Sequence, residues 1–202
     1  MSSLAWFRDQ IGQVLPEVPL SDQQFSLLFG HFELLNRWNE RMDLTSVDTP
    51  AEIVSRHYCE SLFFAQHLPA DEADLAIVDF GSGAGFPGFP MAVLHPEWHI
   101  TLLEANQRRA VFLKEAARTL QNVSVVAQRG EEFAQKHDWV VARAVKSKDV
   151  LECVPRLADG VALLVSEAII PELNKVKGFR WSGPVAIPGS QARCCVFGRC
   201  ST

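Results

Sequence analysis

The segment Asp79-Phe80-Gly81-Ser82-Gly83-Ala84-Gly85-Phe86-Pro87-Gly88 sets an acid and alternating glycines directly after the apolar pair Ile77-Val78. This pattern reads as a strand emptying into a loop that touches a ligand through its main chain. Without side chains at Gly81, Gly83 and Gly85, the backbone can take positive φ and a ligand can approach the N–H groups closely. The spacing is G-x-G-x-G, and Phe86 stands where the dinucleotide fingerprint needs its third glycine, which counts against NAD. A glycine-rich turn with no ligand is the other reading.

Glu104 ends the next apolar run, Ile100-Thr101-Leu102-Leu103. It therefore sits at the tip of a second strand, where α/β nucleotide sites place a carboxylate on ribose hydroxyls. A glycine loop after one strand and an acid after the next make an adenosine-binding half-site. S-adenosylmethionine (SAM) carries adenosine without a pyrophosphate, so its loop need not aim a helix at phosphate. Pro87 and Pro90 are easier to reconcile with SAM than with a dinucleotide.

The elements that must position these residues change texture near residue 70. From residue 4 to about 70 the pattern is helical. Ser21 to Gln24 fit a capping box, after which Phe25, Leu28, Phe32, Leu35 and Trp38 recur at helical spacing. Thr49-Pro50-Ala51-Glu52 is a second helix start, and the helix it opens carries Ile53, His57, Ser61 and Leu62. Beyond it, strands alternate with helices, the sign of a mostly parallel sheet. Strands are expected near 75–80, 99–104, 123–127, 138–143, 160–165, 184–187 and 192–198, with a helix from Asn106 to Leu120. The last two form an antiparallel C-terminal pair around Pro188-Gly189-Ser190-Gln191. The expectation is therefore an α/β, Rossmann-like class I SAM-dependent methyltransferase. It has a seven-stranded sheet and an N-terminal helical cap (1–70) packed on a core (71–202). Ligands bind beyond the carboxyl ends of such strands, which brings the 81–88 loop, Glu104, the 129–132 turn and Arg143 to one crevice.

Composition narrows the class. The chain has 202 residues, 48% apolar and 21% charged, ordinary for a globular protein, and no apolar run long enough for a membrane span. The first residues lack a leader pattern, so a cytoplasmic location is expected. Cys59, Cys153, Cys194, Cys195 and Cys200 are odd in number and lack C-x-x-C spacing or a histidine cluster, so reduced thiols and no metal are expected. Cys194 and Cys195, adjacent in a strand, should face opposite ways. A net charge of −5 argues against a chain-wide basic surface for nucleic acid, leaving only a local patch.

Several spaced motifs together resemble a known family. They are Trp38-Asn39 with Asp43-Leu44-Thr45-Ser46; Arg56-His57 with Glu60-Ser61-Leu62; the Asp79–Gly88 loop; Leu103-Glu104 with Arg108-Arg109 and Phe112-Leu113; Arg129-Gly130-Glu131-Glu132-Phe133; and Arg143-Ala144. In this order they resemble, over nearly the whole chain, the bacterial 16S rRNA guanine-N7 methyltransferases called RsmG or glucose-inhibited division protein B. The resemblance implies SAM contacts at Gly81, Phe86, Gly130, Glu131 and Arg143, with Glu104 on the ribose, and Asp79, Gly83 and Gly85 in the same loop. It places Thr45 and Ser46 over the pocket, and His57 is a further candidate for the site. Each has a plainer reading: loop hydroxyls capping local backbone, a core or rim histidine, a solvated strand-end arginine.

The implied partner is 16S rRNA or the small ribosomal subunit, with the helix 18 loop, position 527, as target. Cations for its phosphates are expected at Arg108, Arg109, Lys114 and Arg118, with Arg37, Arg41 and Arg56 in the N-terminal helices. Three positions depart from the family pattern. Val165-Ser166-Glu167 stands where relatives usually carry Lys-Gly, Asp43 replaces Asn, and Glu60 replaces Asp. Together they are expected to make the rRNA-facing side more acidic.

Overall fold

A computed structural model describes residues 2–47, 49–69, 73–190 and 192–201 of the chain. Apolar runs too short for helices become central strands, because a parallel sheet covered on both sides buries both faces of each strand. The strands are β1 (Ala76–Phe80), β2 (His99–Leu103), β3 (Val123–Val126), β4 (His137–Arg143), β5 (Ala158–Ser166), β6 (Phe179–Trp181), β7 (Val185–Ala186) and β8 (Arg193–Cys200). They pair in the order β3-β2-β1-β4-β5-β8-β6, and β7 also pairs with β8. The first five run parallel, while β8 is antiparallel to β5 and to both of its other neighbours.

The sequence-based expectation of seven strands meets eight. β6 and β7 lie along the same strand, β8, opposite Gly198–Cys200 and Cys194–Cys195. They are one edge strand interrupted at Ser182-Gly183-Pro184, where proline has no N–H to give the ladder. The order turns back between β1 and β4, the switch point where open α/β sheets bind ligands.

Alternation along the strands divides the core. Ile77, Trp139, Val141, Cys195 and Phe197 face one cluster, and Val78, Val140, Ala142, Cys194 and Val196 the other. Cys194 and Cys195 thus face opposite ways, and all five thiols are free.

The first cluster is completed by the N-terminal helices, α1 (Leu4–Val14), α2 (Asp22–Met42), α3 (Pro50–Ile53) and α4 (Glu60–His67). Ser21 and Gln24 make the expected capping box. Gln24 also reaches the sheet unit: its Nε2 donates to the carbonyls of Val93 and Leu94 at 2.7 and 3.1 Å. Those carbonyls end α5 (Gly88–Leu94), so one side chain closes the start of one helix and the end of another. Phe7, Phe32, Tyr58 and Phe64 pack into the cluster that holds Ile77, Phe86 and Phe89. The expected division at 70/71 falls outside the described residues.

Two helices differ from expectation. α6 (Gln107–Ala116) is shorter than the predicted span and ends in turns. The helix opened by Thr49 does not stay α-helical: Val54–Cys59 is a π-helical turn between α3 and α4. Such turns widen the backbone spiral and occur often at functional sites. This one carries Arg56 and His57. On the opposite face of the sheet lie α7 (Ser147–Leu157) and the one-turn α8 (Ile170–Leu173).

Candidate active site

At the switch point opens a cleft of about 740 Å³, walled on one side by the glycine loop and on the other by the α2–α3 connection, the π-turn and the ends of β4 and β8. Of the residues expected from sequence, Gly81, Gly83, Phe86, Glu104, Arg143, Thr45, Ser46, His57 and Arg109 line it.

The sheet-side wall is backbone held by buried acids. Gly81 N–H and Ser82 N–H both donate to the Leu103 carbonyl, at 2.8 and 3.1 Å, which locks the loop onto β2. Gly81 and Gly83 have φ of 74° and 58°, conformations that L side chains rarely adopt. A Cβ at Gly81 would stand 2.8 Å from Val145 Cγ2, whereas one at Gly83 meets nothing nearer than 3.9 Å and would project into open space. Glu104 takes Gly83 N–H on Oε2 and Asn106 N–H on Oε1, both at 2.8 Å. Each carboxylate oxygen keeps a lone pair.

Asp79 is not on the wall but beneath it. It is fully buried, and its Oδ2 accepts from Gly88 N–H at 3.0 Å. Burial pushes its carboxyl up to about 7, against the pull of that N–H. Its task is to tie the two ends of the loop together. Gly85 points away from the cleft, where a Cβ would crowd His31 Nε2, Phe89 and Leu113.

Gly130 and Glu131 also stand away from this cleft. A Cβ at Gly130 would run into the Phe80 ring, and the Gly130 carbonyl accepts from Arg156 Nη2 at 3.0 Å; Glu131 is exposed. Arg108 is exposed too, its N–H capped by Asn106 Oδ1 at 3.0 Å. Of the cations expected to meet rRNA, only Arg56 and Arg109 line the cleft. Arg143, Lys146 and Arg193 join them there.

The opposite wall is a network of side chains. Arg143 Nη1 donates to His57 Nδ1 at 2.6 Å, and His57 Nε2 lies 2.7 Å from Thr45 Oγ1. A guanidinium only donates, so Nδ1 is the acceptor and the histidine proton sits on Nε2, given to Thr45. Thr45 Oγ1 also accepts from Val47 N–H at 3.1 Å, leaving its own proton for an acceptor in the cleft. Burial, reinforced by Arg143, Arg56 and Arg193, lowers His57 to about 3, so the ring is neutral. It stacks on Phe86 at 4.9 Å.

Behind this wall Glu60 is 2% exposed, with Arg143 Nη2 and Arg193 Nε each 3.3 Å from its Oε2. These are ion-pair contacts short of hydrogen-bond geometry, since Oε2 and both Nε atoms have no hydrogen-bond partner. Burial raises the Glu60 carboxyl while the two arginines hold it down, and burial likewise lowers Arg143 to about 10. The expectation that Glu60 makes the rRNA-facing side more acidic is thereby corrected: the carboxylate is buried under two arginines. Asp43 does face the cleft, at φ 43° closing α2, a conformation Asn and Asp tolerate best.

Sequence reasoning missed His31. Its Nδ1 accepts from the Tyr58 hydroxyl at 2.6 Å and its Nε2–H donates to the Ala84 carbonyl at 3.1 Å, so a cap helix grips the glycine loop directly. Burial lowers this ring to about 3. A polar residue on the stripe between Leu28 and Leu35 was the available signal.

The sheet order, the positive-φ loop at the switch point and the acid after β2 define a SAM-dependent methyltransferase. A SAM-dependent methyltransferase from Aquifex aeolicus has this fold, with a TM-score of 0.58 at 13% identity over 78% of this chain and 96% of that one. The family described as rRNA small subunit methyltransferase G matches residues 24–161. Enzymes named ribosomal RNA small subunit methyltransferase G are similar along much of their length. That of Nitrosomonas eutropha is 34% identical over 83% of each chain, and that of Vibrio campbellii 36% identical over 73% of this chain and 72% of that one. The chain belongs to this family. Among the described residues no helix is long and apolar enough to cross a membrane, and no group of three or more His, Cys, Asp or Glu is arranged to hold a metal ion.

Proposed function

We propose that this enzyme methylates N7 of a guanine in 16S rRNA, the helix 18 guanine at position 527, within a small ribosomal subunit or its precursor in the cytoplasm. The observation that carries this reading is the sign of the cleft. In a chain of net charge −5, Arg56, Arg109, Arg143, Lys146 and Arg193 gather on one cavity against Asp43, Glu104, Asp149 and the buried Glu60 beneath two of the arginines, which leaves the patch positive. A polyanion is drawn to such a patch although the rest of the surface repels it.

The residues on the sheet side fit the cofactor. Open space in front of Gly83 admits a ligand where any side chain would intrude, and Glu104 retains lone pairs for ribose hydroxyls. When bound, SAM supplies an electrophilic methyl on a sulfonium. The rest falls to positioning, because guanine N7 has an in-plane lone pair and no proton to lose. The side-chain wall matches that requirement. His57 is neutral and already donates and accepts, so it orients Thr45 and Arg143 and serves as no base. Phe86, stacked on His57, gives a flat apolar surface. A bidentate arginine on O6 and N7, the common way to read guanine, would cover the lone pair that must react. Arg143, committed to His57 and Glu60, is held from that pose. The residues facing the cleft are proposed as the site: Gly81, Gly83, Phe86 and Glu104 for cofactor, and Thr45, Ser46, His57, Arg109 and Arg143 at the substrate side. Asp79, Gly85, Gly130 and Glu131 shape the loops around them. The helices before residue 70 act as a cap on a core of 71–202.

The test is transfer of labelled methyl from SAM to small subunits lacking the modification, followed by mapping of the labelled base. Label at N7 of the helix 18 guanine is expected. Label on another nucleotide would overturn the target, and binding of SAM without any transfer would overturn the reaction.

A further inference from the structure

A second opening lies on the other side of Lys146. It is a groove of about 670 Å³ between α7 and the connection from β5 to β6, and Lys146 lines both it and the active-site cleft. Its floor is apolar, made by Leu151, Leu173, Val176 and the Phe179 ring, while Lys146, Lys148 and Lys177 stand along it with Glu152 and Glu172. The chain has six lysines, and four of them, Lys146, Lys148, Lys175 and Lys177, fall in the two segments that bound this groove. Arginine supplies the remaining cations of the cleft itself. Among the described residues no carboxylate comes within 4.0 Å of Lys146 or Lys177, and Lys148 has only an exposed contact to Glu152 at 3.8 Å.

This arrangement is what an unpaired nucleic-acid strand requires: a face on which bases stack or seat, with point charges spaced along it for the phosphates. Exposed lysines suit phosphates, which they meet as mobile point charges without fixed geometry. Continuity settles which strand. A strand that delivers one base to the cleft must leave past its rim, and on this side the rim is Lys146. Resting on the reading of the cleft as an rRNA site, we propose that the groove is the path of the RNA leaving it. A neighbouring unpaired nucleotide sets its base on the Leu173–Val176–Phe179 floor and its phosphates against Lys146, Lys148 and Lys177. Recognition of the loop then extends beyond the methylated base, through contacts blind to base identity and sensitive to salt.

The experiment uses the exposed residues outside the cleft. In the full-length K148E/K177E variant, kcat and SAM affinity should equal wild type while KM for unmethylated small subunits rises about tenfold. The slope of log binding against log salt should become shallower by about 1.4, two phosphate contacts on a single strand. A KM and salt slope equal to wild type would overturn the proposal. A photoreactive group placed at Val176 should crosslink to rRNA close to the methylated base. Crosslinks confined to ribosomal protein would overturn it, making the groove a protein-docking surface. If wild type places its methyl elsewhere, the target reading falls alone. Filter binding of an unpaired RNA oligonucleotide still decides the groove: weaker binding by the variant supports it and equal binding overturns it.

Discussion

On the sheet side of the cleft, the groups that face a ligand are main chain from one continuous segment, held by an acid from the next strand. On the helix side they are side chains from three stretches far apart in sequence: Thr45 with His57, then Arg143, then Arg193, the two arginines braced by buried Glu60. The first wall is rigid because its bonds are backbone hydrogen bonds and its conformations exclude most residues. The second holds only if every member keeps its charge state and its neighbour. A methyl donor common to many enzymes can be bound by the first device. A particular substrate calls for the second, which can change one residue at a time.

The largest effect is expected on the backbone wall. Gly81→Val combines a φ of 74° with a Cβ 2.8 Å from Val145 Cγ2. The variant relieves about 1–3 kcal/mol of φ strain, with overpacking added, by moving the loop off its binding conformation, and restoring that conformation costs SAM affinity about 100-fold. Calorimetric titration of a variant shown to be folded by circular dichroism measures it. Unchanged affinity would remove the glycine loop from the cofactor site and dissolve the contrast between the walls.

Next comes Arg143→Met, which strips Glu60 of one of its two cations. Breaking a buried ion pair costs about 3–5 kcal/mol, and since Arg193 retains its contact the lower end, about 3 kcal/mol, is expected in urea unfolding. His57 loses its donor as well, so methyl transfer should fall even where the protein is folded. A variant that unfolds like wild type would mean that Glu60 is not charged in the folded chain.

These two walls also explain what the sequence disclosed. The glycine loop and Glu104 were legible because backbone binding leaves a local signature: alternating glycines, then an acid at the next strand's tip. The parallel strands were legible because a strand buried on both faces must be an apolar run. β6 was not, since Phe179–Trp181 is three residues with Arg180 outward, at an edge that Pro184 breaks. The side-chain wall was legible only in part: Arg143 showed at the tip of a strand, and Thr45 and His57 came with the family resemblance, but nothing local tied them to one another. Arg193 and Lys146 look like ordinary arginine and lysine until β8 pairs with β5 and the start of α7 follows β4, which brings both to one cleft. The π-turn was invisible because its residues have the apolar spacing of an α-helix. Gly130-Glu131 shows the reverse limit: the resemblance carried the motif over, it is not among the residues lining the cleft, and Gly130 has a packing reason of its own, since a Cβ there would meet the Phe80 ring.

The histidine of the second wall gives a pH test. His57 is held at about 3 in the fold against 6.5 when unfolded. Above pH 6.5 both states are neutral and it contributes no pH dependence. As pH falls from 6.5 toward 3, the unfolded chain takes up a proton that the folded chain refuses, so stability is lost. His31 adds the same dependence, and Asp79, raised to about 7, opposes it, since a raised carboxyl stabilises at low pH. His57→Gln removes one of these contributions. Between pH 6.5 and 5 the variant should lose about 1.6 kcal/mol less than wild type, as uptake rising from half a proton to one at about 1.4 kcal/mol per pH unit implies. Parallel curves for the two proteins would show that the ring titrates alike in both states, and the neutral bridge from Arg143 to Thr45 would be wrong.

The smallest effect belongs where the chain departs from its relatives. Ser166 is exposed at the end of β5, directly across from Arg193 in the antiparallel pairing, and its hydroxyl accepts from Ala168 N–H at a weak 3.4 Å. A cation at this position would stand next to the one cleft arginine that β8 supplies. Ser166→Lys should therefore act on the side-chain wall and its approach alone, lowering KM for small subunits by about two- to fivefold, the range of an exposed charge worth up to about 1 kcal/mol. SAM affinity should not change, because the glycine loop follows β1 and Glu104 follows β2, and β4 stands between both and β5. If SAM affinity moves and KM does not, the end of β5 acts on the cofactor. The boundary between the two walls must then be redrawn to pass between β5 and β8.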